Sequence, residues 1–334
     1  MKASWVFLSL VFVVSRTLAS EVSTRIVNGT DVTNIATYPS FSSLFYISGG
    51  AYSNYCGATM LNSQYALTAA HCIYDNPSNM LNTFVIPQLL DESNYYGAEK
   101  ARASEFYYPD DYIDSGTALW PNDIAIIKLE TPLSTPDYTY MLNTTYNNNF
   151  PSVGGSINYY TIGHGLVAGN VSGSTILQQT TLEYVSWNDC RFQYGAITDK
   201  QICFGGAQSG SYKNSTCNGD SGGPVYLFDG AQYIQIGITS FGPNSCGNPS
   251  LPVTSVFTDI YDYIGWVNRV INGQEIPKYY VTTTNGQRVL VSNVGTSSSG
   301  SGGGIGFLTL FSLLLMGIFL KHHRAVMPSY GQKS

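Results

Sequence analysis

The apolar residues in the central part of the chain fall into short runs. Between Tyr38 and Leu129 these runs are separated by Gly, Asn, Pro and Ser, and few segments show the period of an amphipathic helix. Short apolar segments separated by turn residues are typical of the strands of an all-β sandwich or barrel. The pattern therefore predicts a β-rich domain rather than a helical one.

A longer apolar run lies near the N-terminus. It covers residues 5–14, follows Lys2, and is followed by small residues around Ala19 and Ser20. This order is typical of a secretory signal peptide, and the run is too short to span a membrane. We therefore assign residues 1–20 as a signal peptide and expect the protein to be exported.

A second long apolar run lies near the C-terminus. Residues 305–320 carry no charge and precede a short basic and polar tail over residues 321–334. The preceding segment, residues 273–304, ends in a Ser/Gly tract that is typical of a flexible linker. A type I membrane span with its basic flank in the cytoplasm is favoured. The alternative, a lipid-anchor signal, is left open, although a polar tail is unusual for such a signal.

The composition suits an exported protein that does not bind nucleic acid. Of the 334 residues, 43% are hydrophobic and only 11% are charged, which is more typical of an extracellular β-rich protein than of a helical cytosolic one. The net charge is −6 and no run of Lys or Arg provides the basic patch that nucleic acid requires. The six cysteines predict disulfide bonds in an oxidising compartment. Their spacing shows no zinc pattern, and we expect neither a metal nor another cofactor.

A glycine-rich stretch at residues 219–224, GDSGGP, is a candidate catalytic centre. The glycines allow a sharp turn that presents the hydroxyl of Ser221 together with neighbouring backbone N–H groups. The same letters also satisfy the Gly-x-Ser-x-Gly elbow of the α/β-hydrolases. Taken alone, the stretch could equally be a glycine turn with a solvated serine.

The order of the histidines distinguishes between the two hydrolase interpretations. The chain has four histidines, and two of them, His322 and His323, lie beyond the predicted membrane segment. An α/β-hydrolase needs its histidine after the serine, so that fold is disfavoured. A base for Ser221 must therefore come from upstream, where His71 and His164 are available.

Two upstream residues have the chemistry that a serine nucleophile needs. His71 lies directly before Cys72, and a bridge from Cys72 to Cys56 would hold it in place. Asp123 stands at the start of an apolar run. A buried carboxylate that faces an imidazole N–H would fix its tautomer and stabilise the imidazolium that forms.

Arg25 is a candidate processing site, because it lies close behind the predicted signal peptide. Cleavage after Arg25 would create an ammonium group at Ile26. Such a charge can be buried only against a carboxylate. Asp220, beside the candidate nucleophile, is the candidate partner.

Four motifs stand in a fixed order: RIVNG at residues 25–29, TAAHC at 68–72, NDIA at 122–125 and GDSGGP at 219–224. Together they resemble the trypsin and chymotrypsin family of secreted serine endopeptidases, over about residues 26–272. The resemblance implies an all-β fold, a double six-stranded antiparallel β-barrel with a C-terminal helix. It also implies protein or peptide substrates, and protein protease inhibitors as partners.

The resemblance assigns roles to the candidate residues. His71 would be the general base, Asp123 its orienting carboxylate and Ser221 the nucleophile. The backbone N–H groups of Gly219 and Ser221 would form the oxyanion hole. The implied disulfides are Cys56 with Cys72, Cys190 with Cys203, and Cys217 with Cys246.

The resemblance also implies a zymogen with a short propeptide at residues 21–25. Cleavage after Arg25, by a different trypsin-like protease, would free the Ile26 ammonium to pair with Asp220 and order the oxyanion loop. Activity would then depend on prior proteolysis.

The family's specificity pocket falls on Ser215, Ser240, Gly242 and the far wall near Ser255, or Val253 in another alignment. Ser215 stands where trypsin-like members carry Asp, so a buried Lys or Arg side chain of a substrate would lack a counter-ion. We expect cleavage after a large apolar or aromatic residue. The alternatives are an elastase-like preference for small apolar residues and an inactive binding module on a protease fold.

Sequons for N-glycosylation occur at four asparagines. We expect Asn143 and Asn170 to be exposed and available for modification, whereas Asn28 and Asn214 flank motifs that become buried. His164 stands where the family often has Trp, and we interpret it as a structural variant rather than a second base.

Overall fold

A computed structural model describes residues 26–147, 150, 158–167 and 175–294. The predicted signal peptide, propeptide, membrane segment and Asn170 lie outside the described residues. Within the described ranges, none of the helices is long and apolar enough to cross a membrane.

Strands make up most of the ordered elements. The strands are β1 (Thr30–Asp31), β2 (Phe41–Ser48), β3 (Ala51–Met60), β4 (Tyr65–Thr68), β5 (Thr83–Pro87), β6 (Ala101–Tyr107), β7 (Ala125–Leu129), β8 (Asn158–Gly163), β9 (Gln178–Val185), β10 (Gln201–Gly205), β11 (Gln208–Ser209), β12 (Tyr212–Lys213), β13 (Pro224–Phe228), β14 (Tyr233–Phe241), β15 (Ser255–Asp259), β16 (Tyr279–Thr284) and β17 (Gln287–Ser292). The α-helices are α1 (Pro77–Asn82), α2 (Trp187–Tyr194) and α3 (Ile264–Ile271).

The first barrel consists of six antiparallel strands in the order β2-β3-β4-β7-β6-β5, and it closes because β5 pairs with β2. Its interior is filled by inward-facing aromatic and aliphatic side chains such as Phe41, Leu44 and Phe106, all fully buried. The register pairs Thr68 with Ala125. The chain segments that follow β4 and precede β7 therefore lie side by side at one end of this barrel.

The second barrel has the order β8-β9-β10-β15-β14-β13, and it closes because β13 pairs with β8. Tyr159, Phe204 and Phe257 fill its interior. The short strand β1 pairs with β9 outside the ring. Helix α3 follows the second barrel and buries Val267 and Val270 in the core of the first. The predicted pair of six-stranded barrels with a C-terminal helix is confirmed.

The prediction of a linker over residues 273–304 is wrong for residues 279–292. These residues form the hairpin β16-β17, and β16 pairs with β6, so the hairpin extends the sheet of the first barrel. Its turn is Asn285-Gly286, with φ of 51° and 77°. Asn-Gly between alternating Val, Thr and Leu residues is a strong hairpin signal, which the polar composition of the segment obscured.

The three disulfides join the pairs that the family resemblance implied. The expectation that Asn143 is exposed is wrong, because this side chain is fully buried. Its Nδ2 donates to the carbonyl of Tyr146 at 2.7 Å, and its Oδ1 accepts the N–H groups of Thr145 and Tyr146. The Asn143 side chain therefore caps its own turn. These hydrogen bonds to the backbone replace the contact with solvent that we expected.

Candidate active site

The candidate catalytic residues come from both barrels. His71 lies in a single 3₁₀ turn, Ala70–Cys72, just after β4, and Asp123 lies just before β7. These two strands are paired, which brings the two side chains together. Ser221 lies in the loop that leads into β13 of the second barrel. All three therefore meet where the barrels face each other.

Asp123 holds His71 by two hydrogen bonds. His71 Nδ1 lies 2.7 Å from Asp123 Oδ2, and the His71 backbone N–H donates to Oδ1 at 2.9 Å. The disulfide sulfur of Cys72 lies 3.9 Å from His71 Nε2. The carboxylate favours the tautomer with a proton on Nδ1, which leaves Nε2 as the basic nitrogen.

The second barrel clamps Asp123 in turn. The hydroxyl of Ser240, in β14, donates to Asp123 Oδ2 at 2.5 Å, and the hydroxyl of Thr258, in β15, donates to the Asp123 carbonyl at 2.8 Å. Asp123 is fully buried. Ser240 was predicted as part of the specificity pocket, and the structure gives it this additional contact.

The charges of His71 and Asp123 stabilise each other. Burial disfavours the charged carboxylate of Asp123, but the nearby His71 and the hydrogen bonds from His71 and Ser240 outweigh it and hold the pKa of Asp123 below its usual value. Burial also lowers the pKa of His71, but the charge of Asp123, with a smaller contribution from Asp114, outweighs it and raises the pKa of His71. Asp123 therefore stabilises the imidazolium that forms when His71 takes a proton.

The loop around Ser221 is fixed by backbone contacts to both barrels. Gly57 N–H, from β3 of the first barrel, donates to the Ser221 carbonyl at 2.7 Å, and Gly222 N–H donates to the Thr239 carbonyl at 2.8 Å. Gly222 has a φ of 78°, and a Cβ there would collide with the side chain of Thr68. The glycine is required by both its backbone angle and the space.

Two backbone N–H groups in the loop around Ser221 make no hydrogen bond to the described part of the protein. In the part of the chain that the structure describes, neither Gly219 N–H nor Ser221 N–H donates to a protein acceptor. Gly219 has a φ of 99°, a conformation that favours glycine. These donors can stabilise an oxyanion that forms on a carbonyl attacked by Ser221.

Asp220 anchors the same loop from inside. It is fully buried, and its two oxygens accept the N–H groups of Gly165 and Cys217, each at 2.8 Å. Ile26 is also fully buried, and the Val27 N–H donates to the Ser215 carbonyl at 3.0 Å. The first residues after the candidate processing site are thus inserted beside the segment that leads to Ser221.

A cavity of about 410 Å³ opens beside His71 and Ser221. Thr216 lines it, and Ser215, the residue before Thr216, is fully buried and shares its one hydroxyl proton between the carbonyls of Thr254, at 3.0 Å, and Thr216, at 2.6 Å. Ser255 Oγ accepts from both Thr216 N–H and Thr216 Oγ1. The side of the cavity at Thr216, called its base below, is therefore backed by an uncharged network of hydroxyl groups.

The structure places the remaining predicted pocket residues. Ser255, not Val253, lies beside Ser215, whereas Val253 packs in a separate cluster with Cys190 and Cys203. Gly242 lines the cavity without a side chain. His164 is buried between Ser43 and Phe41, and it does not line the cavity that holds His71.

Sequence reasoning missed several residues that shape the cavity. Trp120 and Phe241 pack with their ring centroids 5.5 Å apart, and Thr216 contributes to the base. Asp114 lies in a polar, turn-like stretch that gave it no predicted role, yet it lines this cavity. An aromatic residue such as Trp120 could have been considered as a cavity wall. Its position, however, depends on a loop in which Leu119 and Trp120 have positive φ.

Comparison with known proteins agrees with this geometry. The family model described as Trypsin matches residues 26–267. Chymotrypsin-like elastase family member 1 of Canis lupus familiaris is 30% identical over 262 residues, which cover 75% of this chain and 94% of that protein. Trypsin-1 of Astacus astacus is 31% identical over 258 residues, covering 72% of this chain and 98% of its own length.

A third relative is the fibrinolytic enzyme, isozyme C, of Lumbricus rubellus, which is 32% identical over 224 residues, covering 65% of this chain and 89% of that protein. The match of the family model spans most of the described chain and both barrels. It includes His71, Asp123 and Ser221. The chain therefore belongs to the trypsin family and is a serine-type endopeptidase.

Proposed function

We propose that this endopeptidase cleaves after a large apolar or aromatic residue, through an acyl-enzyme on Ser221. The proposal rests on the uncharged base of the recess, the name we give to the cavity that opens beside His71 and Ser221. The hydroxyl of Ser215 is committed to two backbone carbonyls. A Lys or Arg side chain there would lose its hydration without gaining a counter-ion, which costs on the order of several kcal/mol.

The proposed chemistry uses three side chains that two paired strands and the loop around Ser221 bring together beside one cavity. Ser221 Oγ attacks the scissile carbonyl while His71 Nε2 takes its proton. The resulting oxyanion accepts the N–H groups of Gly219 and Ser221, and Asp123 stabilises the imidazolium. Collapse expels the amine, which takes the proton from His71, and leaves an ester on Ser221. Water, deprotonated by His71, then attacks the ester, and His71 returns the proton to Ser221 Oγ as the acid leaves.

The size preference rests on the walls of the recess. Gly242 contributes no side chain, so a broad apolar group can enter beside it. Ser255 adds a hydroxyl at the base, where a glycine would leave more depth. A preference for smaller apolar residues is therefore the second candidate. The names of the relatives do not distinguish a preference for large apolar residues from one for small apolar residues, since they include both an elastase and a trypsin.

We also propose activation by cleavage after Arg25, with the new ammonium of Ile26 held by Asp220. The burial of Ile26 and of Asp220 supports this, because a buried ammonium needs a carboxylate partner. The recess does not suit the side chain of Arg25. A separate trypsin-like protease would therefore perform the cleavage.

The apolar run at residues 305–320 leads us to propose that the protease faces outward on a membrane tether. Its substrates would then be proteins at or near the cell surface, and protein protease inhibitors would compete for the same cleft. Asn170 is the proposed glycosylation site that remains, because Asn143 is buried.

A peptide library tests the specificity. The full chain, cleaved after Arg25, is expected to cut after Phe, Tyr, Leu or Met. A preference for Ala or Val at that position would support the second candidate instead. Cleavage mainly after Lys or Arg would overturn the proposed role of Ser215.

A further inference from the structure

One acidic side chain at the mouth of the cleft has no role in the proposed chemistry. Asp114 is exposed and lines the same cavity as His71 and Ser221. Among the described residues, it is the one acid that lines this cavity. None of the ion pairs in the described ranges involves Asp114.

The carboxylate of Asp114 is held in a defined position. Its Oδ1 accepts hydrogen bonds from Tyr112 Oη and from Trp120 Nε1, each at 3.1 Å. Both bonds go to the same oxygen, and in the described structure Oδ2 has no protein partner. The side chain is therefore oriented by the protein while one oxygen faces solvent.

The loop that carries Asp114 is itself braced. Trp120 N–H donates to the Ser115 carbonyl at 3.1 Å, so the loop closes on itself. Gln201, in β10 of the second barrel, donates to the Leu119 carbonyl at 2.7 Å. These contacts brace the loop and hold it against the second barrel. The charge of Asp114 raises the pKa of His71 as one of several causes.

The contacts around β14 connect Asp114 to the path that a peptide can take. Pairing with the segment before and within β13 ends at Thr239, so residues 240–242 are open on that side to a peptide that adds antiparallel to them. With one side chain of this peptide in the cavity, the residues before it would lie along Phe241. Phe241 packs on Trp120 with ring centroids 5.5 Å apart, and Trp120 Nε1 donates to Asp114.

We propose that Asp114 selects substrates with a Lys or Arg side chain within the two or three residues that precede the residue held in the recess. An ammonium or guanidinium group there would pair with the solvent-facing oxygen of Asp114. The site is open to water, so the effect on kcat/KM is about two- to fivefold at low salt and weakens as ionic strength rises.

The test rests on the proposed function and compares two peptides with the same large apolar residue before the scissile bond. One peptide carries Lys in the preceding positions and the other carries Gln. The measured quantity is the ratio of kcat/KM for the Lys peptide to that for the Gln peptide, on the full, activated chain at low and high salt. The assays use a pH on the plateau of the pH profile, so that changes at His71 do not enter.

We expect a ratio above one at low salt that falls toward one at high salt and in Asp114→Asn, whose amide can still accept from Trp120. The matched control is Asp111→Asn, which removes the same charge from a neighbouring exposed residue that does not line this cavity. This control should keep the ratio.

Two results would overturn the inference: a wild-type ratio of one, or an equal loss in both variants, which would indicate only the general field of the protein. A failure of the proposed function looks different. In that case neither peptide is cut after its large apolar residue, whatever precedes it.

Discussion

The loop around Ser221 and the base of the recess lie only a few residues apart, yet they are built in different ways. The loop is fixed by backbone hydrogen bonds to both barrels and by Gly222, where a Cβ has no space. The base is fixed by the hydroxyls of Ser215 and Ser255. The first arrangement allows almost no substitution, whereas the second can change its polarity without moving the backbone. We therefore expect reactivity and selectivity to be separable by substitution in this enzyme.

The largest expected effect comes from removing the nucleophile. Ser221→Ala should lower kcat by about 10⁶-fold, because the remaining groups have no hydroxyl to activate. Hydrolysis of a fluorogenic peptide measures the loss. The melting temperature serves as the control and should stay close to that of the wild type, since Ser221 holds the loop through its backbone carbonyl. Substantial residual turnover would mean that another residue attacks the substrate.

The next effect comes from Asp123, which joins the barrels as well as orienting His71. Asp123→Asn should lower kcat by about 10⁴-fold, because the amide favours the wrong imidazole tautomer. Ser240→Ala removes one hydrogen bond to the carboxylate and should cost much less, about tenfold. Equal losses of kcat in the two variants would show that the hydrogen bond from Ser240, rather than the charge of Asp123, sets the activity.

A smaller effect is expected at the base of the recess. Ser215→Asp should raise the selectivity for Lys or Arg over Phe by about ten- to a hundredfold, since a carboxylate supplies the missing counter-ion. The conversion should be partial, because the carbonyls of Thr216 and Thr254 would face the new charge. Ser215→Asn is the control of similar size. A loss of all activity in Ser215→Asp would contradict the separation of reactivity from selectivity.

The mildest perturbation is a change of pH. His71 must be neutral to accept the proton from Ser221, and Asp123 outweighs burial to raise the pKa of His71. Activity should therefore fall on acidification around a midpoint above about 6.5, the ordinary value for histidine. In Asp123→Asn the midpoint should move to lower pH, because burial then acts without the opposing charge. A profile of kcat/KM against pH measures both midpoints, and an unchanged midpoint would argue against this coupling.

The parts that could be predicted from the sequence depend on short segments. The motifs around His71, Asp123 and Ser221 carry their own local geometry, and the strand rhythm, together with the family resemblance, indicated the two barrels. Ser255 could not be assigned with certainty because its position depends on how β15 pairs with β10 and β14. Asp114 could not be placed either, since its loop is positioned by tertiary contacts such as that from Gln201.

Two other predictions from the sequence differ from the structure, each for a local reason. The hairpin at residues 279–292 carried an Asn-Gly turn signal, but its polar composition suggested a linker, and its pairing partner β6 is distant in sequence. At Asn143 the sequon suggested exposure. The asparagine instead uses its side chain to close its own turn, and this choice between solvent and backbone is settled by the surrounding fold.

The central claim is that Ser221 is a nucleophile activated by His71, and covalent labelling tests it most directly. The full chain, cleaved after Arg25, is treated with a fluorophosphonate, and the modified residue is located by peptide mapping. We expect a single adduct, on Ser221. It should be absent from Ser221→Ala, and the rate of labelling should be strongly lowered in Asp123→Asn. A folded, cleaved protein that takes up no label, or takes it up on another residue, would contradict the account.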